Sequence, residues 1–153
     1  MPVTECYVDT SALLKLYVSE AFSEQAQYYL SGMDHPAISS LTTLEWHCAM
    51  ARRQRSGAFS EAYLAMARQE FMRHVSEGYF RVHPVSDTLL AQAQGLLDAV
   101  RPVPLRTLDA MHLAAARALD AQGIATADRI MAQAAERLGM KVERFFCINT
   151  YTS

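Results

Sequence analysis

The sequence predicts a three-layer α/β/α fold built on a central, mostly parallel sheet of four to five strands. Three observations predict it. Short runs of strand formers alternate with helical runs along the chain, the pattern of a parallel sheet with helices on both faces. The 153 residues are 51% hydrophobic and 20% charged, the balance of a globular domain. A chain of that length buries about 68–70% of its unfolded surface, enough for a core without staples. No internal repeat, low-complexity stretch or linker interrupts it, so residues 1–153 are expected to form a single domain.

Cys6–Val8 reads as the first strand, and Asp9-Thr10-Ser11 is the entry signal of a helix over Ala12–Tyr17. Phe22–Leu30 continues helically up to Gly32, and His35–Ser39 is a second strand. Thr42–Ser56 is a helix closed by Gly57, with Leu44, Cys48 and Ala51 on one stripe; Ser60–Glu77 is another, stopped by Gly78. Phe80–Val85 is a third strand, after which Ser86 caps a helix to about Val100. Two prolines make Arg101–Pro104 a loop. A helix from Thr107 to about Ala121, a strand at Gly123–Thr126, a helix over Asp128–Leu138 and a strand at Met140–Val142 complete the series. Ligands of such sheets sit beyond the carboxyl ends of the strands, at a switch in strand order.

Fourteen basic residues against sixteen acidic give a net charge of −2, which excludes a generic basic coat for nucleic acid. Twelve of the basic residues are arginine, the better planar partner for phosphate. Cys6, Cys48 and Cys147 are widely spaced, without a CxxC pair, so neither a zinc site nor a disulfide framework is expected and the thiols read as reduced. There is no apolar run of ~18 residues to span a bilayer. Met1-Pro2-Val3-Thr4-Glu5 lacks the basic start and apolar stretch of a signal peptide, and a cytoplasmic protein without a membrane role is expected.

Acidic residues fall where strands or loops hand over to helices. Asp9 ends the first strand, and Glu45, Asp109 and Asp128 each stand two residues after a threonine, at Thr43, Thr107 and Thr126. Singly, each pair reads as a threonine N-cap with an acid complementing the helix dipole by ~0.3–1 kcal/mol. Jointly they read differently. If the four converge, carboxylates ~5 Å apart repel by roughly 3 kcal/mol per pair at an effective dielectric of ~20. Such a cluster needs a proton or a cation, and an all-oxygen site suits Mg²⁺ or Mn²⁺. That chemistry is phosphodiester hydrolysis.

These segments carry a family resemblance. Cys6-Tyr7-Val8-Asp9-Thr10-Ser11-Ala12-Leu13 resembles the opening of PIN-domain nucleases, and Ser39-Ser40-Leu41-Thr42-Thr43-Leu44-Glu45 their second acidic motif. Leu105-Arg106-Thr107-Leu108-Asp109-Ala110-Met111-His112-Leu113-Ala114 is similar to the third, and Thr126-Ala127-Asp128-Arg129 through Gly139-Met140 to the fourth. Order, spacing and size resemble the VapC-type toxins of bacterial toxin–antitoxin pairs. The resemblance implies a PIN-like fold and a Mg²⁺- or Mn²⁺-dependent endoribonuclease. Its metal site would be Asp9, Glu45, Asp109 and Asp128, with Thr126 as a further catalytic group hydrogen-bonding a carboxylate or water. It also implies a homodimer and a small protein antitoxin that blocks the active-site groove. The tail Phe145–Tyr151 matches nothing in the family pattern.

Other residues divide between two readings. Lys15, Arg52, Arg53 and Arg106 are candidate RNA-binding groups, Lys15 by neutralising a carboxylate or meeting the scissile strand, Arg52 and Arg53 with Arg55 as a phosphate-tracking patch or a solvated face. His112, three residues after Asp109 on one helical face, reads as a ligand or base or as a structural histidine, the structural reading being the expected one, and His47 is discounted as a ligand. Tyr17, Tyr28, Tyr29 and Trp46 stack on bases or fill the core. The apolar stretch Ala62–Met66 suits an interface or the core equally. Two other functions compete. A phosphatase using Asp9 as nucleophile needs a second acid two residues on, where this chain has Ser11. A PIN-like module retained for binding RNA or protein would tolerate loss of an acid, and all four are present.

Overall fold

The computed structural model describes residues 6–148. The elements run β1 (Cys6–Val8), α1 (Thr10–Leu13) extended by a 3-10 turn (Leu14–Leu16), α2 (Ser23–Ser31), β2 (Ala37–Ser39), α3 (Ser40–Arg55) and α4 (Glu61–Ser76). They continue β3 (Arg81–His83), α5 (Asp87–Ala99), α6 (Thr107–Ala118), β4 (Gly123–Thr126), α7 (Arg129–Arg137) and β5 (Lys141–Arg144). The five strands form one all-parallel sheet in the order β3-β2-β1-β4-β5, with Tyr7 opposite Ala37 on one side and Ile124 on the other. The predicted fold class is the observed one.

Side-chain alternation along the strands makes the three layers. Cys6, Val8, Ile38 and Ala125 face one core with Leu13, Leu30, Trp46, Met50 and Phe71 from α1 to α4. Their neighbours Tyr7, Ala37 and Ile124 face the other, with Leu89, Leu96, Leu113 and Met131 from α5 to α7. Trp46 stacks on Phe71 at 4.3 Å between centroids, and Tyr17 meets both rings edge-on at 5.3 and 5.4 Å. Such pairs add about 0.5–1.5 kcal/mol each beyond burial. Tyr17 and Trp46 therefore hold the α3–α4 hairpin on the sheet, and of the aromatic candidates for base stacking only Tyr28 stands fully exposed.

The helix starts differ from expectation in an instructive way. In none of the three threonine–acid pairs is the threonine an N-cap. Ser39 caps α3 in a reciprocal box with Thr42, so Glu45 lies in the second turn rather than the first. Arg106 precedes α6 without a side-chain cap bond, leaving Thr107 as its first residue. Asp128 itself caps α7, Oδ1 accepting from the backbone N–H of Ile130 (2.8 Å) and Met131 (3.0 Å). Asp9 does the same for α1.

Candidate active site

The sheet's strand order reverses between β1 and β4, and both strands end at the same rim. Asp9 follows β1 directly, and Thr126 closes β4. Their junction is tightly bonded. Asp9 Oδ1 accepts from Ser11 Oγ (2.6 Å) and Ala12 N (3.0 Å), and Oδ2 from Thr126 Oγ1 (2.5 Å). Thr126 Oγ1 in turn accepts from Asp128 N (2.9 Å), and Ser11 Oγ from Ala127 N (2.9 Å). Every group donating to Asp9 is neutral. Burial accordingly pushes its carboxyl above the ordinary range, against the opposing charge of His112 and these hydrogen bonds.

Glu45 reaches the same rim from α3. Oε1 accepts from Thr10 Oγ1 (2.8 Å) and His112 Nε2 (2.5 Å). Partial burial works against the anion, but the His112 bond and charge, with Thr10, outweigh it and hold Glu45 below its usual value. Asp109, in the first turn of α6, is pushed up by burial and by the charge of Asp128, against the pull of Arg106 and His112. Arg106 lies between the two aspartates, with Nε 3.4 Å from Asp109 Oδ2 and Nη2 3.4 Å from Asp128 Oδ2. Long, and made by a side chain 73% exposed, these pairs hold little energy and leave Arg106 able to turn to another anion. Glu45, Arg106, Thr107, Leu108 and Asp109 line an open cleft of about 320 Å³.

The four acids are thus joined in one chain of contacts: Asp9 to Thr126 to Asp128, Asp128 through Arg106 to Asp109, and His112 from the helix of Asp109 to Glu45. They share a rim. Among the described residues, however, no three His, Cys, Asp or Glu side chains stand close enough together to hold a metal ion. What does fit a hard cation is the chemistry of the donors, all carboxylate and hydroxyl oxygen. The electrostatics fit as well: a fully buried Asp9 and a half-buried Asp109 whose ionised forms are both disfavoured where they lie.

The predicted basic groups separate. Arg106 is at the cleft, and Arg52 is exposed two turns beyond Glu45 on the same face of α3. Lys15 and Arg53 are elsewhere engaged: Lys15 Nζ, nearly buried, donates to Ala21 O (2.6 Å) and Glu20 Oε1 (3.3 Å), and Arg53 Nη1 to Glu20 Oε2 (2.9 Å). An unpaired lysine buried under α2 would be costly, so this network fixes both cations in the framework rather than at the acids. Four further residues have a place in the site: Tyr7, Thr10 and Ser11, to which the sequence pattern assigns no role there, and His112, for which it favours a structural one. The signal was present for His112, three residues after Asp109 on one helical face. Thr10 and Ser11 stand in the helix-entry signal and in the first family motif, neither of which assigns them a hydrogen-bonding role. The cysteines are free, and burial raises the Cys6 thiol to about 12, which makes it inert.

A family model described as PIN domain matches residues 6–137. Several solved structures share the fold. The VapC20 toxin of Mycobacterium tuberculosis, described as cleaving the sarcin-ricin loop, superposes with a TM-score of 0.67 at 20% identity, over 85% of this chain and 95% of that one. PAE2754 of Pyrobaculum aerophilum gives 0.63 at 19%, over 91% and 89%. A chain of a toxin–antitoxin complex from Klebsiella pneumoniae gives 0.58 at 19%, over 81% and 87%. No curated protein matches the sequence.

Proposed function

The chain belongs to the PIN domain family, and from that premise we propose that it is a Mg²⁺- or Mn²⁺-dependent endoribonuclease, the toxin of a bacterial toxin–antitoxin pair. The observation that carries the reading is the convergence of Asp9, Thr126 and Asp128 at the β1/β4 switch point, with Asp109 and Glu45 reaching the same rim. Fold relatives described as a loop-cleaving toxin and as part of a toxin–antitoxin complex support the choice of substrate and of a small protein antitoxin. In this reading the protein is cytoplasmic and homodimeric and acts on folded RNA with exposed single-stranded loops. Among the described residues no helix is long and apolar enough to cross a membrane.

Asp9, Glu45, Asp109 and Asp128 would hold the cation. When bound, it supplies charge to the phosphodiester oxygens and acidifies the attacking water. The chain's own groups do the rest. Thr126 and Ser11 fix both oxygens of Asp9, so the carboxylate cannot rotate away. Glu45, held below its usual value by His112 and Thr10, stays ionised at neutral pH. Arg106 screens the two outer aspartates until an RNA phosphate draws it off, and Arg52 tracks the strand further along α3.

The reading is tested by incubating the purified chain with a radiolabelled RNA stem-loop in Mg²⁺ or in EDTA. Cuts confined to the loop and abolished by EDTA are expected; cleavage indifferent to chelation would remove the metal from the account. Arg52→Ala is expected to weaken RNA binding evenly across sequences and to lower the slope of log K against log salt by about 1, as loss of one phosphate contact does. Binding titrations over a salt series measure it, and an unchanged slope would return Arg52 to the solvated surface.

A further inference from the structure

We propose that Tyr7 and His112 are positioning residues for Glu45: a buried line of hydrogen bonds from the central strand pins one oxygen of this carboxylate and leaves the other for the cation. The proposal rests on the divalent-cation reading of the site. Tyr7 is fully buried in the middle of β1, two residues before Asp9, and points to the α5–α7 side of the sheet. Its hydroxyl stands 2.7 Å from His112 Nδ1, donates to Ser39 Oγ (3.1 Å) and lies 3.3 Å from Thr42 Oγ1. Ser39 and Thr42 are the capping box of α3, the helix that carries Glu45. His112, 3% exposed, passes the line on from its other nitrogen to Glu45 Oε1 at 2.5 Å. One polar network therefore ties together three elements that present acids to the rim: β1 with Asp9, α3 with Glu45 and α6 with Asp109.

Packing alone does not call for such a network. Tyr7 belongs to the apolar core between the sheet and α5–α7, and buried polar groups in such a place are stabilising only when fully paired. Here both ring nitrogens of His112 have partners, and the line ends on a single atom. Thr10 Oγ1 adds a second bond to that atom, Oε1, while no hydrogen bond among the described residues falls on Oε2. A carboxylate held by one oxygen presents the other in a fixed direction. Outer partners of this kind orient metal-binding side chains, and their removal typically weakens metal binding about 10–100-fold.

The test is Mn²⁺ binding to the RNA-free chain by calorimetry, with kcat and KM for RNA cleavage alongside. Tyr7→Phe and His112→Leu are expected to weaken Mn²⁺ binding roughly 10–100-fold. They should lower kcat with KM for RNA unchanged, because neither side chain reaches the surface. His112→Gln, whose side-chain N–H lies about where Nε2 does, should recover most of the loss. A merely structural histidine would not show that recovery. Folded Tyr7→Phe and His112→Leu proteins that bind Mn²⁺ within twofold of the wild type, or a His112→Gln no better than His112→Leu, would overturn the proposal. If Tyr7→Phe does not fold, the Gln and Leu variants of His112 decide. Wild-type chain that binds no Mn²⁺ overturns the cation reading and this proposal with it. Binding lost in Asp9→Asn but intact in Tyr7→Phe overturns the positioning role alone.

Discussion

Replacing Asp9 by asparagine is expected to lower RNA cleavage by roughly 10²–10³-fold, the scale on which a single group organising charge at a reacting centre counts. The metal-free protein should meanwhile keep or gain stability. The two effects have one cause. Asp9 is a buried carboxylate whose bonding partners are neutral, so its charge is a burden on the fold that a proton or a bound cation relieves. Asparagine keeps an acceptor for Ser11 Oγ and Ala12 N and carries no charge to desolvate. A nuclease assay and a thermal melt of the same preparation measure the pair. Asparagine protein that cleaves like the wild type would remove Asp9 from the site. A melting temperature that falls by many degrees would mean that Asp9 serves the fold.

Mn²⁺ is expected to raise the melting temperature by roughly 5–10 °C at a hundredfold excess over its dissociation constant, because binding stabilises by about 2.7 kcal/mol there and a domain of this size shifts by about 2–4 °C per kcal/mol. The gain should depend on pH in a defined sense. Asp9 and Asp109 both titrate above their ordinary value of 3.8 in the folded chain. Through the window above 3.8 the folded state therefore holds more protons than the unfolded one, and metal-free stability falls as pH rises. Glu45 is displaced the other way, so its contribution is lost only as pH falls below its ordinary 4.5. Melts in EDTA should thus decline as pH rises above 3.8, and Mn²⁺ should flatten the decline. An equal Mn²⁺ shift in wild type and Asp9→Asn would place the ion elsewhere.

The layering of the fold is legible because β2, β3 and β4 each sit between a glycine or proline stop and a helix-entry signal, and β1, β2 and β4 divide their side chains between two cores by simple alternation. Element ends were less so. The sequence pattern starts the second strand at His35 and the next helix at Thr42; they begin at Ala37 and Ser40, since the capping serine, not the threonine pattern, sets the helix start. At the site, acids were legible by their place at strand and helix ends. Their partners were not, because a hydrogen bond between Tyr7 and His112 spans 105 positions and leaves no local trace. The same limit explains Lys15: six residues from Asp9 in sequence, it turns under α2 to Glu20 and Ala21.

The central claim is that Asp9, Glu45, Asp109 and Asp128 surround one oxygen-seeking ion. Anomalous scattering from a crystal grown with Mn²⁺ tests it most directly. The account predicts a peak at the rim shared by β1 and β4, within ligand distance of Asp9 and at least one other of the four, with Arg106 displaced from Asp109 and Asp128. A crystal saturated with Mn²⁺ that shows no peak there, or one bound only by surface acids such as Glu70 and Glu77, would contradict it.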